Sequence, residues 1–257
     1  MKIRKPIAAG TFYPQNKNDL EKKILSLLDS SKKVEIKKKV KGLIVPHAGY
    51  LYSGIVAAAG YNLLQNQKIE RVILLGPSHY VGFEGAALSE AEFFETPLGK
   101  IKLFAPITVT PPLFYFDAAH QYEHSLEVQL PFLQIVLKNH FKLLPICLGE
   151  VNEEKLAEVL IPEITDDAIV IASSDLSHFF PYDEAVKIDS IANAVIPALE
   201  IDKAREELDA CGKKAILTLM YLAKKLKWQG KFIDYKNSGD TFGDKSRVVG
   251  YGCYAFY

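Results

Sequence analysis

The chain has 257 residues, 49% hydrophobic and 24% charged, enough apolar surface for a full buried core. Lys plus Arg and Asp plus Glu both number 31, and this zero balance excludes a general electrostatic pull toward nucleic acid or an anionic membrane. Three cysteines with no CxxC pair exclude a disulfide framework and a zinc ribbon, so a reducing cytoplasm is the expected location. The first ten residues are too short in apolar content for a secretory signal, and no segment approaches the roughly 18 apolar residues of a membrane span.

In chain order, Ala9–Pro14 reads as an ordered loop. Asn18 can then cap a helix that places Leu20, Ile24, Leu27 and Leu28 on one face and ends near Ser30. Six lysines crowd between Ser30 and Lys41, a solvated connection rather than a polyanion patch. Gly42–Val45 is an aliphatic strand, an Ala-rich helix runs from Ser53 or Gly54 to about Gln65, and Val72–Leu75 completes a right-handed β-α-β unit. Residues 82–110, with glycines, aromatics and the turn Thr96–Lys100, read as a β-hairpin insertion. Glu123–Leu137 has leucines at helical spacing, with a kink or boundary at Pro131. Strand 142–147, helix 152–160 and strand 168–172 follow. Helices over 183–199 and 212–226 come next, and sheet-forming segments at 231–235 and 248–256 close the chain. No repeat or linker divides it, so the expectation is one α/β domain, a sandwich with a mostly parallel or mixed sheet.

Three aliphatic runs end on polar turns: Val45 into Pro46-His47, Leu75 into Gly76-Pro77-Ser78-His79, and Ala172 into Ser173-Ser174-Asp175 with His178 after it. Ligands of open α/β sheets bind beyond the carboxyl ends of the strands, which makes a metal or acid–base site the leading idea. A single such histidine most often caps a strand end. The pair His47 and His79, on two strands of one unit, points instead to neutral imidazoles converging on Fe, Cu or Zn. Asp175 and His178 are spaced so that a carboxylate can orient an imidazole acting as general acid or base, although Asp175 and Ser173 could equally cap a following helix. Glu123, His124 and Glu127 form another polar group, with His124 and Glu127 sharing a face if the segment is helical, or else an ordinary acidic helix start. Cys211 stands at an expected helix N-terminus beside Lys213 and Lys214, which would lower its pKa and favour the thiolate. Cys147 and Cys253, inside apolar strands, read as small buried hydrophobes. A phosphate loop, a dinucleotide fingerprint, HExxH and a nucleophile elbow are all missing, which removes the commonest nucleotide, zinc-protease and serine-hydrolase readings.

Taken together, Ala9-Gly10-Thr11-Phe12-Tyr13, Val45–Tyr50, Gly76–His79, Glu123–Glu127 with Leu130-Pro131, Ser173–His178 and Ala210-Cys211-Gly212 resemble the Memo family over nearly the whole chain. The resemblance implies a fold like that of class III extradiol dioxygenases. It implies that His47, His79 and Cys211 line the position where those enzymes hold non-haem iron, with His178 matching their acid–base histidine. A cysteine stands where the dioxygenases have a carboxylate, which moves the expected chemistry away from ordinary ring cleavage and admits copper, iron(II) or zinc. In prokaryotes the resemblance implies AMMECR-type and radical-SAM proteins as partners. Three functions follow as expectations. The first is a metal-dependent redox protein using Asp175 and His178 for protons. The second is a recognition pocket in which Tyr50, Tyr80 and Tyr122, with Glu123, His124 and Glu127, contact a small molecule or peptide. The third is a metal-dependent hydrolase with His178 activating water.

Overall fold

The computed structural model describes residues 2–138 and 140–257. Its centre is four neighbouring parallel strands. Gly42–Val45 pairs with Ala168–Ser173, which pairs with Arg71–Pro77, which pairs with Lys142–Leu148. Apart from Arg71, Lys142 and Ser173 at their ends, these runs carry no polar side chain because both faces of the sheet are covered, the usual state of parallel strands. The period of two is nevertheless present: Leu43, Val45, Val72, Leu74, Ile169 and Ile171 pack with helices Lys17–Ser30, Gly54–Asn62 and Leu130–Val136. Ile44, Ile73, Leu75, Val170 and Ala172 pack on the other side with Glu153–Leu160, Tyr182–Ala198, Ile201–Glu207 and Lys213–Lys225. The result is an α/β sandwich of helices, sheet and helices.

Antiparallel strands extend both edges, so the sheet is mixed. Val248–Phe256 flanks Gly42–Val45 and carries His178–Phe180 and Gly230–Asn237; on the far side Ala86–Leu88 flanks Lys142–Leu148 and pairs in parallel with Leu113–Tyr115. The expected hairpin exists as Phe93–Thr96 against Gly99–Lys102, but it joins Ile3–Arg4 in a separate small sheet, while Ala86–Leu88 from the same stretch belongs to the main one. Among the described residues no helix is long and apolar enough to cross a membrane.

Several boundaries differ from expectation for identifiable reasons. Asn16, not Asn18, caps the first helix, its Oδ1 accepting from the N–H groups of Asn18 and Asp19. The Ala-rich helix stops at Asn62. Glu123–Leu137 is not one helix: Glu127–Gln129 forms a 3₁₀ turn and the α-helix starts at Leu130, with Pro131 in its first turn, where a missing N–H costs nothing. The strands bearing His47 and His79 are parallel as expected but not adjacent, since Ala168–Ser173 lies between them.

Candidate metal centre

The carboxyl ends of three parallel strands deliver His47, His79 and Asp175 to one end of the sheet. A crevice of about 500 Å³ opens there, with His47, His79, His124, Asp175 and His178 in its wall beside Phe12, Tyr52, Tyr80 and Tyr251. Three imidazoles meet within it, His47 edge-on to His79 at 5.3 Å between centroids and to His124 at 5.5 Å, with His79 and His124 stacked at 4.7 Å. Cys211 Sγ lies 3.3 Å from His47 Nε2. Donor atoms of His47, His79 and Cys211 all fall within 4.8 Å of one another, an arrangement that could hold one ion.

The hydrogen bonds fix which ring nitrogens face that position. Gln129 Nε2 donates to Pro46 O and to Ser173 Oγ. Pro46 O can only accept, which sets the orientation of the amide. Ser173 Oγ gives its single proton to Ser125 O, so toward His47 Nδ1, 2.9 Å away, it must accept. His47 is therefore the Nδ1–H tautomer with a free Nε2 lone pair. His79 Nδ1 stands 2.9 Å from Glu123 Oε1, a carboxylate that likewise can only accept, and its Nε2 is left free. Orienting each metal-facing imidazole through its other nitrogen is the usual construction of a metal site.

The electrostatics agree. Burial, followed by the nearby His79, lowers His47 to about 3, and burial lowers His124 to about 4, so both rings are neutral near pH 7. Burial opposes ionisation of Glu123, but donation from the His79 ring, the His79 backbone and the Ser125 N–H outweighs it and holds the carboxyl near 2. Burial raises Asp175, with the N–H groups of His47 and Ala48 pulling against it. Cys211 departs from expectation. Its helix begins only at Lys213, and burial, followed by the Asp175 charge, pushes its thiol up to about 12, so without a cation it is protonated. Gly212 is what lets it approach: a Cβ there would stand 2.5 Å from Ser173 O, and its N–H donates to Ser174 Oγ at 2.8 Å.

The other expected residues separate into those in the crevice wall and those behind it. Asp175 is not a helix cap; its Oδ1 accepts from the backbone N–H groups of His47 and Ala48 and so holds the turn that carries His47. His178 begins strand His178–Phe180, where a register shift and Phe179 at φ +65° form a bulge of the kind that re-aims side chains beside sites. Tyr80 lines the crevice and is 61% exposed. Tyr50 and Glu127, expected as ligand contacts, do not line it. Tyr50 is buried against Phe132 and donates to Val128 O. Because residues 123–129 are not α-helical, Glu127 does not share a face with His124; it is fully buried and accepts from Arg4, from the N–H groups of Ile7 and Ala8, and from Tyr13 Oη. That carboxylate anchors the N-terminal segment, which brings Phe12 to 4.5 Å from His124. Gln129 and Arg4 were not anticipated. A glutamine on the inward face of a leucine-rich segment was the available signal for the first.

The profile of the Memo-like protein family matches residues 4–255. Similar chains include a MEMO1 family protein of Aquifex aeolicus, 38% identical with 98% of each chain covered. Others are MEMO1 family proteins of Methanosarcina mazei, 37% identical over 98% of each chain, and of Nitrosopumilus maritimus, 36% identical over 99% of each.

Proposed function

The chain belongs to the Memo-like protein family, and from that premise we propose that it is a metal-dependent redox protein whose His47, His79 and Cys211 hold an iron(II) or copper ion, zinc being the redox-silent alternative. The observation that carries this reading is the convergence of two imidazoles, each tied through Nδ1, with a cysteine sulfur 3.3 Å from one of them. Two nitrogens and one sulfur suit soft and borderline cations and disfavour Mg²⁺ and Ca²⁺. When bound, such an ion supplies one-electron chemistry and an open position for a small ligand.

The chain's own residues prepare the rest. Cys211 gives up its proton to the solvent as it becomes a ligand. Asp175 keeps the Pro46–Ala48 turn in place through two backbone N–H groups. His178, in the crevice wall, is positioned to take or give a proton at a substrate atom, and Phe12, Tyr80 and Tyr251 provide apolar contact around it. The test is anaerobic metal analysis of the wild type beside His47→Ala and Cys211→Ala, followed by oxygen uptake on the wild type and His178→Ala. Near-stoichiometric iron or copper, lost in the first two variants, with turnover lost but metal kept in His178→Ala, is the expected result. Metal content unchanged by either ligand substitution would sink the reading.

A second reading, peptide recognition by the same crevice, is favoured by the exposed rings of Tyr80, Phe179 and Phe242, the last 5.1 Å from Tyr52 of the crevice wall. It predicts saturable peptide binding that persists in metal-stripped protein.

A further inference from the structure

His124 has no task in the centre described above, yet its ring is held between Phe12 at 4.5 Å and His79 at 4.7 Å. Its Nδ1 is buried and makes no hydrogen bond, which is an unfavourable arrangement unless something else satisfies it. That nitrogen stands 3.4 Å from Glu123 Oε1, and the same oxygen is 2.9 Å from His79 Nδ1. Two atoms each bonded about 2.1 Å from one ion lie about 3.0 Å apart at a right angle and about 3.4 Å apart at the tetrahedral angle. Both separations match those of neighbouring ligands around a cation, the shorter one also being the hydrogen-bond length of the His79–Glu123 contact. One donor atom from each of the three residues lies within 4.8 Å of the others.

We propose that His79 Nδ1, Glu123 and His124 Nδ1 form a second cation site that shares His79 with the thiolate-bearing centre. Two imidazoles and a carboxylate make a harder donor set than two imidazoles and a thiolate, so this position takes borderline divalent ions such as Fe²⁺, Co²⁺ or Zn²⁺, while the first retains the softer ones. Entry of the ion removes the proton that His79 Nδ1 donates to Glu123; the proton leaves to solvent and no electrons move. With both positions filled, the His79 ring bridges them as an imidazolate, one nitrogen to each ion. The planes of His79 and His124 are 24° apart, so the His124 ring turns about its side-chain bonds to aim its lone pair, and Nδ1 has no hydrogen bond to lose in doing so. The inference depends on the proposed function only in sharing His79 with that centre.

The experiment is an anaerobic Co²⁺ titration of the intact protein, read by equilibrium dialysis for stoichiometry and by near-ultraviolet absorption for thiolate-to-cobalt charge transfer. Wild type is expected to bind two equivalents, only one of which brings the charge-transfer band. His124→Phe keeps an aromatic ring between Phe12 and His79 and should retain that band while losing the other equivalent. If this variant does not fold, His124→Leu, which likewise offers no ligand atom and keeps apolar contact with Phe12, carries the same expectation. The inference is overturned if the only equivalent bound by wild type is the one that brings the charge-transfer band, or if the folded variant binds as many equivalents as wild type. A wild type with no charge-transfer band but a His124-dependent equivalent would refute the thiolate centre and support this one.

Discussion

Ser173→Ala is the most revealing single substitution. Ser173 is fully buried at the end of a central strand, and its Oγ makes three hydrogen bonds: it accepts from His47 Nδ1 at 2.9 Å and from Gln129 Nε2 at 2.7 Å, and donates to Ser125 O at 2.7 Å. Alanine fits the strand without strain but leaves three buried groups short of a partner. A buried group so orphaned costs about 1–3 kcal/mol, and Gln129 keeps its bond to Pro46, so the expected loss is about 2–5 kcal/mol. At roughly 2–4 °C per kcal/mol for a chain of this size, the melting temperature should fall by about 4–20 °C. The same deletion frees His47 to take either tautomer, and loss of such an orienting partner weakens metal affinity about 10–100-fold. Urea denaturation, competitive metal titration and the ¹⁵N shifts of the His47 ring measure the three effects. A variant within about 0.5 kcal/mol of wild type, with unchanged affinity and an unchanged Nδ1–H tautomer, would refute the reasoning from hydrogen-bond direction to ligand orientation.

Because Cys211 is raised to about 12 and His47 is already neutral, binding at the thiolate centre should displace one thiol proton; apparent affinity for Zn²⁺ should rise about tenfold per pH unit from neutral pH upward, and a flat profile in a competition assay would contradict thiolate ligation. His47, His120 and His124 are buried and lowered to about 3, 4 and 4, so between pH 6.5 and those values the unfolded chain binds protons that the folded chain does not. Stability should therefore fall on acidification below about 6.5, by up to about 1.4 kcal/mol per pH unit for each ring; equal urea midpoints at pH 7 and pH 5 would exclude this. Glu123 acts in a different window. Its lowered carboxyl contributes stability above about 4.5 that disappears as pH falls toward 2, so Glu123→Gln should flatten the acid limb of the unfolding profile. Removing one partner of the buried Arg4–Glu127 pair, as in Arg4→Met, should cost about 3–5 kcal/mol in denaturant titrations, and a cost below about 1 kcal/mol would remove Glu127 as the anchor of the N-terminal segment.

Strand ends were the most legible feature of this sequence. Unbroken aliphatic runs followed at once by Pro46-His47 or Pro77-Ser78-His79 are consistent with little besides buried parallel strands opening onto a site. What escaped depends on burial, which periodicity does not measure. Lys213 and Lys214 suggested a thiolate at Cys211, but desolvation there outweighs neighbouring charge. The leucine spacing of 126, 130, 133 and 137 runs through a 3₁₀ turn as smoothly as through an α-helix, and so concealed that Glu127 turns toward Arg4 while His124 faces the crevice. Gln129 was hidden for the same reason: its importance lies in the direction of its amide, set by a carbonyl 83 positions earlier in the chain.

The strand Ala168–Ser173 slots between the strands that end at His47 and His79. During synthesis, therefore, the two histidine-bearing segments emerge early but have no seam on which to register until that later strand arrives, and Cys211 follows later still. Loop closures of this length make such pairings slow. The end of the sheet that carries the candidate centre is thus among the last parts of the nascent chain to take shape, and a product cut short before Ala168 lacks both the strand that sets His47 beside His79 and the sulfur of Cys211.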